Sequence, residues 1–278
     1  MTFSAGPAPV LVAASGVHRF WLATATLWRR EIVRFLRQRS RVVGALGTPL
    51  MFWLVIGAGI GRSFKSDDAP GAGNYLQYFY PGTLLLILLF TAIFSTISII
   101  EDRREGFLQG VLAAPVSRGA IVLGKLLGGA TLATLQGAVF LALAPLAGLH
   151  LAPLSALALL AVMFLVALGL TGLGFMIAWP MESTQGFHAV MNLFLMPLWL
   201  LSGALFPGSG ASPVLQWIMR VNPLTYNLQL IRGFFYGGTP HGHSAAGFVL
   251  PLAITLLFAS TTYILAWYLA CRKTSRPL

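Results

Sequence analysis

The sequence predicts an all-α integral membrane protein that crosses the bilayer six times. Hydrophobic residues make up 57% of the 278 residues and charged residues only 9%, whereas a soluble surface needs roughly a quarter to a third of its residues charged. The mean hydropathy is +0.80. The few charges also leave long uncharged runs between them, and about 20 helical residues cross a bilayer core of about 30 Å. These observations exclude a soluble fold.

A cytoplasmic N-terminal region, residues 1–41, is predicted to precede the spans. In residues 19–41, apolar side chains recur near the 3.6-residue helical period between arginines, and Trp21 and Trp28 suit the headgroup layer. This pattern predicts an amphipathic helix that lies along the inner leaflet. A plain basic anchor beside the membrane is an alternative, and the two are not exclusive.

The boundaries of the spans follow from the gaps between charges and from the positions of Gly and Pro. The second span begins at Pro81-Gly82, and the turn from Gly148 to Pro153 separates the third span from the fourth. The transmembrane domain covers residues 42–270, and its predicted spans are residues 42–61, 82–100, 121–148, 154–179, 187–206 and 247–270. Residues 271–278 are predicted to form a cytoplasmic tail.

The distribution of basic residues orients these spans. The chain has 18 Lys and Arg residues against 7 Asp and Glu residues, a net charge of +11. With both termini in the cytoplasm, only Arg62, Lys65, Arg220 and Arg232 lie outside, in agreement with the positive-inside rule. The other basic residues flank apolar runs, so we assign the positive charge to contact with membrane lipids rather than nucleic acid.

Motifs of enzymes are scarce. His241-Gly242-His243 gives only a weak indication of a metal site, and no His-Glu-x-x-His pair is present. Gly119 to Lys125 has the G-x-x-x-x-G-K spacing of a phosphate loop, but Leu126 follows where the motif requires Ser or Thr to hold magnesium. We therefore expect no catalytic residue, no metal site and no cofactor bound by this chain.

Ion-coupled transport is not favoured either. Secondary carriers keep ionisable residues at mid-bilayer, and the predicted spans have none there unless Glu182 is drawn inward. Its neighbours Pro180 and Ser183 suit a short cytoplasmic turn instead. A transporter of this composition must take its energy from another protein.

The most informative segment is Glu101 to Lys125, on the predicted cytoplasmic side between the second and third spans. A dense group of charges is followed by a narrow apolar stripe at helical spacing, Phe107, Leu108, Val111 and Leu112, and Pro115 ends the pattern. The pattern predicts a short helix at the membrane surface that can dock into a groove of a soluble partner. An interfacial helix that only caps the spans is the alternative.

This segment resembles the coupling helix of ABC transporter permeases of the type-2 exporter family. The matching positions are Arg104-Glu105-Gly106, Leu108, Leu112 and Pro115-Val116-Ser117-Arg118. Three further motifs match in order and spacing: Pro81-Gly82, then Met196-Pro197 with Leu201 to Pro207, then Asn222 to Tyr226 with Arg232-Gly233. The resemblance covers residues 21–270.

The resemblance implies an energy source on separate subunits. Permeases of this family pair as dimers in the cell (inner) membrane and bind two cytoplasmic ABC ATPase subunits, which hold ATP and Mg. It implies short re-entrant helices in residues 207–238 and a partner permease that is a second copy of this chain. It also implies that the ATPase-coupling residues are Arg104, Glu105, Gly106, Phe107, Leu108, Val111, Leu112, Pro115 and Arg118.

The expected cargo is an amphiphile, such as a drug, a lipid or a lipid-linked glycan, that leaves the cytoplasm or the inner leaflet. The uncharged spans argue against a highly charged cargo. Polar residues that could line a path are Thr91, Ser95, Thr96, Asn192 and Ser202, although hydrogen bonding between helices is an alternative role for them. The alternative functions are a secondary carrier and a membrane scaffold that transports nothing.

Overall fold

The computed structural model describes residues 16–60, 72–208, 211–236 and 245–272. Within these ranges the chain is helical and contains no β-strand, which confirms the predicted all-α class. The helices are α1 (Gly16–Arg37), α2 (Arg39–Ile60), α3 (Tyr75–Ser95), α4 (Ile97–Arg104), α5 (Phe107–Ala113), α6 (Arg118–Leu141), α7 (Pro153–Ala178), α8 (Thr184–Trp199), α9 (Pro213–Val221), α10 (Pro223–Tyr236) and α11 (Ala245–Arg272). Arg62, Lys65, His241 and His243, which entered the sequence predictions, lie outside the described residues.

Five helical stretches among the described residues are long and apolar enough to cross a membrane. They are Tyr75–Arg104, Arg118–Leu141, Pro153–Ala178, Thr184–Ala204 and Gly247–Arg272. These stretches correspond to the predicted second to sixth spans. The predicted first span falls on α2, where only the shorter stretch Leu46–Gly57 is apolar. The sixth crossing therefore stays a prediction.

The second span begins earlier than the sequence predicted. Asn74 caps α3, because its Oδ1 accepts the backbone N–H of Gln77 at 2.9 Å. The helix then continues through Pro81-Gly82, which the sequence prediction had placed at its start. Pro81 has no N–H to give to the carbonyl of Gln77. The Tyr236 hydroxyl donates to that carbonyl instead, at 2.6 Å, so α10 compensates for the proline.

The core of the molecule is built around α3. Nearly every side chain from Tyr75 to Ser95 is buried, and α3 packs against α2, α6, α7 and α10. A helix that is apolar on all sides is stable only when other helices surround it. Because α4 follows α3 after a single residue, Thr96, the most buried helix leads directly into the charged segment.

The amphipathic N-terminal helix is present as α1. Its buried residues are Thr24, Leu27, Glu31 and Phe35, which share one face at helical spacing, and this face packs on α6. The helix ends at Arg37, and a single residue, Gln38, separates it from α2. The sequence thus predicted the helix correctly, and its position along the inner leaflet stays a prediction.

The end of the molecule opposite α5 contains an interrupted helix. After α8, a π-turn over Leu200–Ala204 contains Gly203 with a φ of 84°, a left-handed conformation that favours glycine. Its carbonyl accepts from the Tyr78 hydroxyl at 3.1 Å and from Arg232 Nη2 at 2.9 Å. The short helices α9 and α10 follow, in the stretch where sequence predicted re-entrant helices. Whether they re-enter the membrane stays a prediction.

Candidate functional site

The charged residues and the apolar stripe of the predicted coupling helix lie on different elements. We call residues 101–118 the coupling segment. Its first charged residues, Glu101 to Arg104, form the end of α4, and Glu105 lies in the turn that follows. Gly106, with a φ of 75°, then bends the chain before α5 begins. A side chain with a Cβ is strained in that conformation. The sequence predicted a short helix here, and α5 covers Phe107–Ala113. The charged residues before it belong to α4 and to the turn that follows α4.

The apolar stripe of α5 faces the protein's own interior. Leu108 is only 3% exposed, and Leu112 packs against the same core. Phe107 and Val111 are half-buried, whereas the opposite edge, Gln109, Gly110 and Ala113, is exposed. A soluble partner would therefore contact this exposed edge, which we call the α5 edge. The apolar stripe instead attaches α5 to the spans.

Two arginines attach the coupling segment to the turn between α7 and α8. Arg103 donates to the carbonyls of Met181, at 2.9 Å, and Trp179, at 2.5 Å. Arg104 Nε donates to the carbonyl of Glu182 at 3.0 Å. The bond to Trp179 satisfies a carbonyl at the C-terminal end of α7 that has no intrahelical partner. Glu182 is exposed in this turn, which confirms its predicted position between two helices.

The largest departure from the sequence predictions is a group of charged side chains that we call the ion cluster: Arg30, Glu31, Arg34, Asp102 and Lys125. Arg30 binds the Asp102 carboxylate through both terminal nitrogens, at 2.6 and 3.0 Å. Lys125 Nζ donates to Glu31 Oε1 at 2.6 Å and also to Asp102. Arg34 donates to Asp102 as well. One carboxylate therefore meets three cations.

The ion cluster is buried at its centre and open at its edge. The side chains of Asp102, Lys125 and Glu31 are 0, 4 and 6% exposed. At the edge, Arg34 also binds Glu101 at 3.0 Å and Glu105 at 3.1 Å. Burial alone would lower the pKa of Arg30, but the hydrogen bond and negative charge of Asp102 raise it above the ordinary value. Arg30 is therefore charged throughout the physiological pH range.

The sequence prediction missed the burial of Lys125. The positive-inside rule assigns Lys125 to the cytoplasmic basic residues, but its side chain is buried on α6 and belongs to the ion cluster. One signal was available: Glu31 is the only acidic residue before Asp67, and it lies among the arginines of an amphipathic helix. An acidic residue in that position indicates a basic partner elsewhere in the chain, but the sequence does not identify that partner.

The remaining predicted coupling residues lie beside α5. Pro115 is exposed just beyond the helix. Ser117 caps α6, since its Oγ accepts the N–H of Ala120 at 3.2 Å. Arg118 begins α6, and its buried Nη1 has no hydrogen-bond partner among the described residues. The structure thus brings these residues to one end of the molecule, but it does not place Arg118 in the ion cluster.

Four of the five predicted path residues are buried and hydrogen-bonded within the chain. Ser95, Thr96 and Ser202 donate to backbone carbonyls three residues earlier, and Thr91 donates to Gln136. Asn192 alone is exposed, on α8. Only the bond from Thr91 on α3 to Gln136 on α6 joins two helices, as the alternative role in helix packing requires. The other three bonds are local, and a role of all five residues in a cargo path stays a prediction.

Comparison with known proteins identifies the family. Residues 23–236 match the family model described as ABC-2 type transporter. The chain belongs to the ABC-2 type transporter family. It is 30% identical over 220 residues to nodulation protein J of Rhizobium leguminosarum bv. trifolii, covering 78% of this chain and 81% of that protein. It is 26% identical over 248 residues to nodulation protein J of Rhizobium meliloti (strain 1021), covering 88 and 92%.

A third similar protein is the inner membrane transport permease YadH of Escherichia coli (strain K12). The identity is 24% over 263 residues, which covers 92% of this chain and 97% of that protein. The resemblance to type-2 permeases is thereby confirmed, and this ABC-2 protein is a multi-pass membrane transport permease. The family consists of transport permeases rather than known enzymes, and in general it implies an ABC ATPase partner.

Proposed function

We propose that this ABC-2 chain is the permease subunit of an ATP-driven exporter in the inner membrane. Two copies of a separate ABC ATPase supply the energy and hold ATP and Mg, and a second copy of this chain completes the permease. The observation that supports this most directly is the α5 edge, an exposed surface on a segment that is fixed to the spans.

The chemistry of the α5 edge suits a soluble partner. Gln109, Gly110 and Ala113 are small or neutral, so a partner's backbone can approach closely, and the exposed Arg104 and Glu105 add charge at the start of the helix. Because Leu108 and Arg103 attach the segment to the core, a force on α5 reaches α3 and α7.

The proposed orientation places the coupling segment and both termini in the cytoplasm. Exposed basic residues are concentrated on α1 at this end, including Arg19, Arg29 and Arg37, whereas α9 at the other end has Arg220. This distribution agrees with the positive-inside rule. The printed name of YadH, an inner membrane permease, supports the same membrane.

The proposed cargo is an amphiphile that leaves the cytoplasm or the inner leaflet. Among the described residues, the Asp, Glu, Lys and Arg side chains of the candidate spans lie toward span ends: Glu101, Asp102, Arg103, Arg104, Arg118, Lys125 and Arg272. The middle of these spans therefore offers no fixed charge to a strongly charged cargo. A drug, a lipid or a lipid-linked glycan meets this condition.

The experiment that tests the proposal adds bulk to the α5 edge. Gly110 is exposed, a Cβ there would meet nothing within 4 Å, and its backbone conformation is open to other residues, so we expect Gly110→Trp to leave the fold of this chain intact. It should block docking of the ABC ATPase from the same organism. Gly16→Trp is the matched control, because Gly16 is exposed and also has nothing within 4 Å.

The measurement is co-purification of the ATPase from membranes that contain equal amounts of each permease. We expect the parent chain and Gly16→Trp to retain the ATPase and Gly110→Trp to lose it, because a large side chain at the centre of an interface prevents close packing. Equal retention by Gly110→Trp would show that the α5 edge is not the docking surface.

A further inference from the structure

The ion cluster joins three helices that are far apart in the sequence: α1, α4 and α6. We propose that the cluster is the device that positions the coupling segment, so that α1, α4 and α6 move as one body when α5 is displaced. In this proposal α1 is part of the coupling apparatus and not only an anchor at the membrane surface. The inference rests on the proposed function, because it assigns a role in the same ATPase-driven movement.

The composition of the ion cluster favours a positional role over a purely stabilising one. Removing Asp102, Glu31 and Lys125 from water is costly, and apolar side chains of similar volume often stabilise a fold as well or better. Buried charged groups are stable only when their hydrogen bonds are satisfied, so they hold the helices that carry them in one relative position. Arg30 fixes Asp102 through two bonds, and Lys125 spans the gap between the two buried carboxylates.

The cluster also holds both sides of the Gly106 bend. The guanidinium of Arg30 lies 3.6 Å from the ring centroid of Phe107, the first residue of α5. Arg34, one turn later on α1, binds Glu105 just before the bend. A cation over an aromatic ring is attractive in addition to the packing. The direction in which α5 leaves α4 is therefore determined by α1.

Close packing of α1 on α6 joins the third helix to the unit that α1 and α4 form. A Cβ at Gly124 would lie 2.8 Å from Leu27 Cβ, and a Cβ at Gly128 would lie 2.6 Å from Glu31 Cβ. Small residues four positions apart, here Gly124 and Gly128, let two helices approach closely. Lys125 directly follows Gly124 in the sequence. The Gly-Lys pair that resembled part of a phosphate loop thus has a packing role and an ionic role within α6.

The test measures whether α1 and the coupling segment move together. Spin labels are placed at Val33 on α1 and at Ala114 beyond α5, both exposed and outside the ion cluster, after Cys271→Ser removes the single native thiol. The disrupting variant is Glu31→Gln with Lys125→Met, which removes one charge of each sign and leaves Asp102 paired with Arg30 and Arg34. Arg29→Gln, an exposed change on the same helix, is the control.

The first measurement uses the labelled permease alone in phosphatidylethanolamine–phosphatidylglycerol vesicles. We expect one narrow distance distribution for the parent and the control, and a broader one for the double variant, because α1 loses the ion pair that fixes it to α6. Arg34→Gln removes the contact to Glu105 just before the Gly106 bend and should broaden the distribution as well. If both variants give the parent distribution, the cluster does not position the segment and the proposal is overturned.

The second measurement adds the ABC ATPase with ATP and vanadate. The distance should stay unchanged in the parent, because the two labels belong to one body, and should shift in the double variant, where α5 moves without α1. A shift in the parent overturns the inference while the ATPase remains bound. If no variant or parent binds the ATPase, the proposed function fails instead, so the two failures are distinct.

Discussion

Gly106 is the residue at which the direction of α5 is set. Its φ of 75° is strained for any residue with a Cβ, although a Cβ there would meet nothing within 4 Å. Gly106→Ala therefore adds no clash and should cost about 1–2 kcal/mol through the backbone alone. We expect weaker retention of the ATPase at normal membrane levels. Gly16→Ala, with equal free space away from the α5 edge and no positive φ, should retain the ATPase fully.

Loss of the Lys125 side chain should destabilise the chain. Lys125→Ala leaves Glu31 without its principal cation in a site that is nearly inaccessible to water. Removing one partner of a buried ion pair costs about 3–5 kcal/mol. The expected result is a lower thermal unfolding temperature in detergent. The charge-balanced pair Glu31→Gln with Lys125→Met should lose less, and an equal loss would contradict this explanation.

Single residues show where sequence reasoning reaches its limit. The apolar stripe of α5 could be predicted from spacing, because helical periodicity is local. Its orientation could not, since Leu108 faces the core of its own chain rather than a partner. The pairing of Lys125 with Glu31 joins residues 94 positions apart, and no local pattern records such a contact.

At the scale of whole elements, the close packing of α1 on α6 is open to a direct test. Gly124→Leu would push into Leu27 Cβ at 2.8 Å and the Thr24 carbonyl at 3.0 Å, neither of which can move without moving α1. We expect α1 to separate from α6. The measurement is the rate of trypsin cleavage at Arg29 and Arg37, which should rise as α1 loses its support.

The control for that experiment lies one and a half turns earlier on the same helix. A Cβ at Gly119 would meet the ring of Phe20 at 3.5 Å, an ordinary contact, so Gly119→Ala should be cleaved at the parent rate. Cleavage of Gly124→Leu at the parent rate would mean that α1 does not depend on α6 for its position.

Helix boundaries that the bilayer determines could be predicted from the sequence, whereas boundaries that depend on hydrogen bonds between distant residues could not. Spans two to six could be located from uncharged runs, because the bilayer fixes both length and polarity. The start of α3 was misplaced because its cap, Asn74, and the compensation of Pro81 by Tyr236 involve hydrogen bonds that hydropathy does not register. The interruption at Gly203 likewise depends on donors from α3 and α10.

At the scale of the whole molecule, the buried ion cluster raises a question about the source of energy. Buried ionisable residues in membrane proteins often carry ions or protons, which would favour a secondary carrier. In this chain, however, each charged group of the cluster already has a partner of opposite charge, and the cluster lies where α4 ends and α6 begins. This arrangement fits a structural joint better than a site that must release an ion.

Transport by the reconstituted protein distinguishes these functions. Vesicles contain the permease with a fluorescent phospholipid or a fluorescent hydrophobic amine as the probe, and either a proton gradient or the ABC ATPase with ATP supplies energy. We expect the probe to move only with the ATPase and ATP, because the middle parts of the five candidate spans that the structure describes hold no Asp, Glu, Lys or Arg side chain that could couple to protons. Gly110→Trp under the same conditions should not move the probe. Full-rate movement driven by the gradient alone would instead establish a secondary carrier, and no movement of either probe under any condition would favour the scaffold.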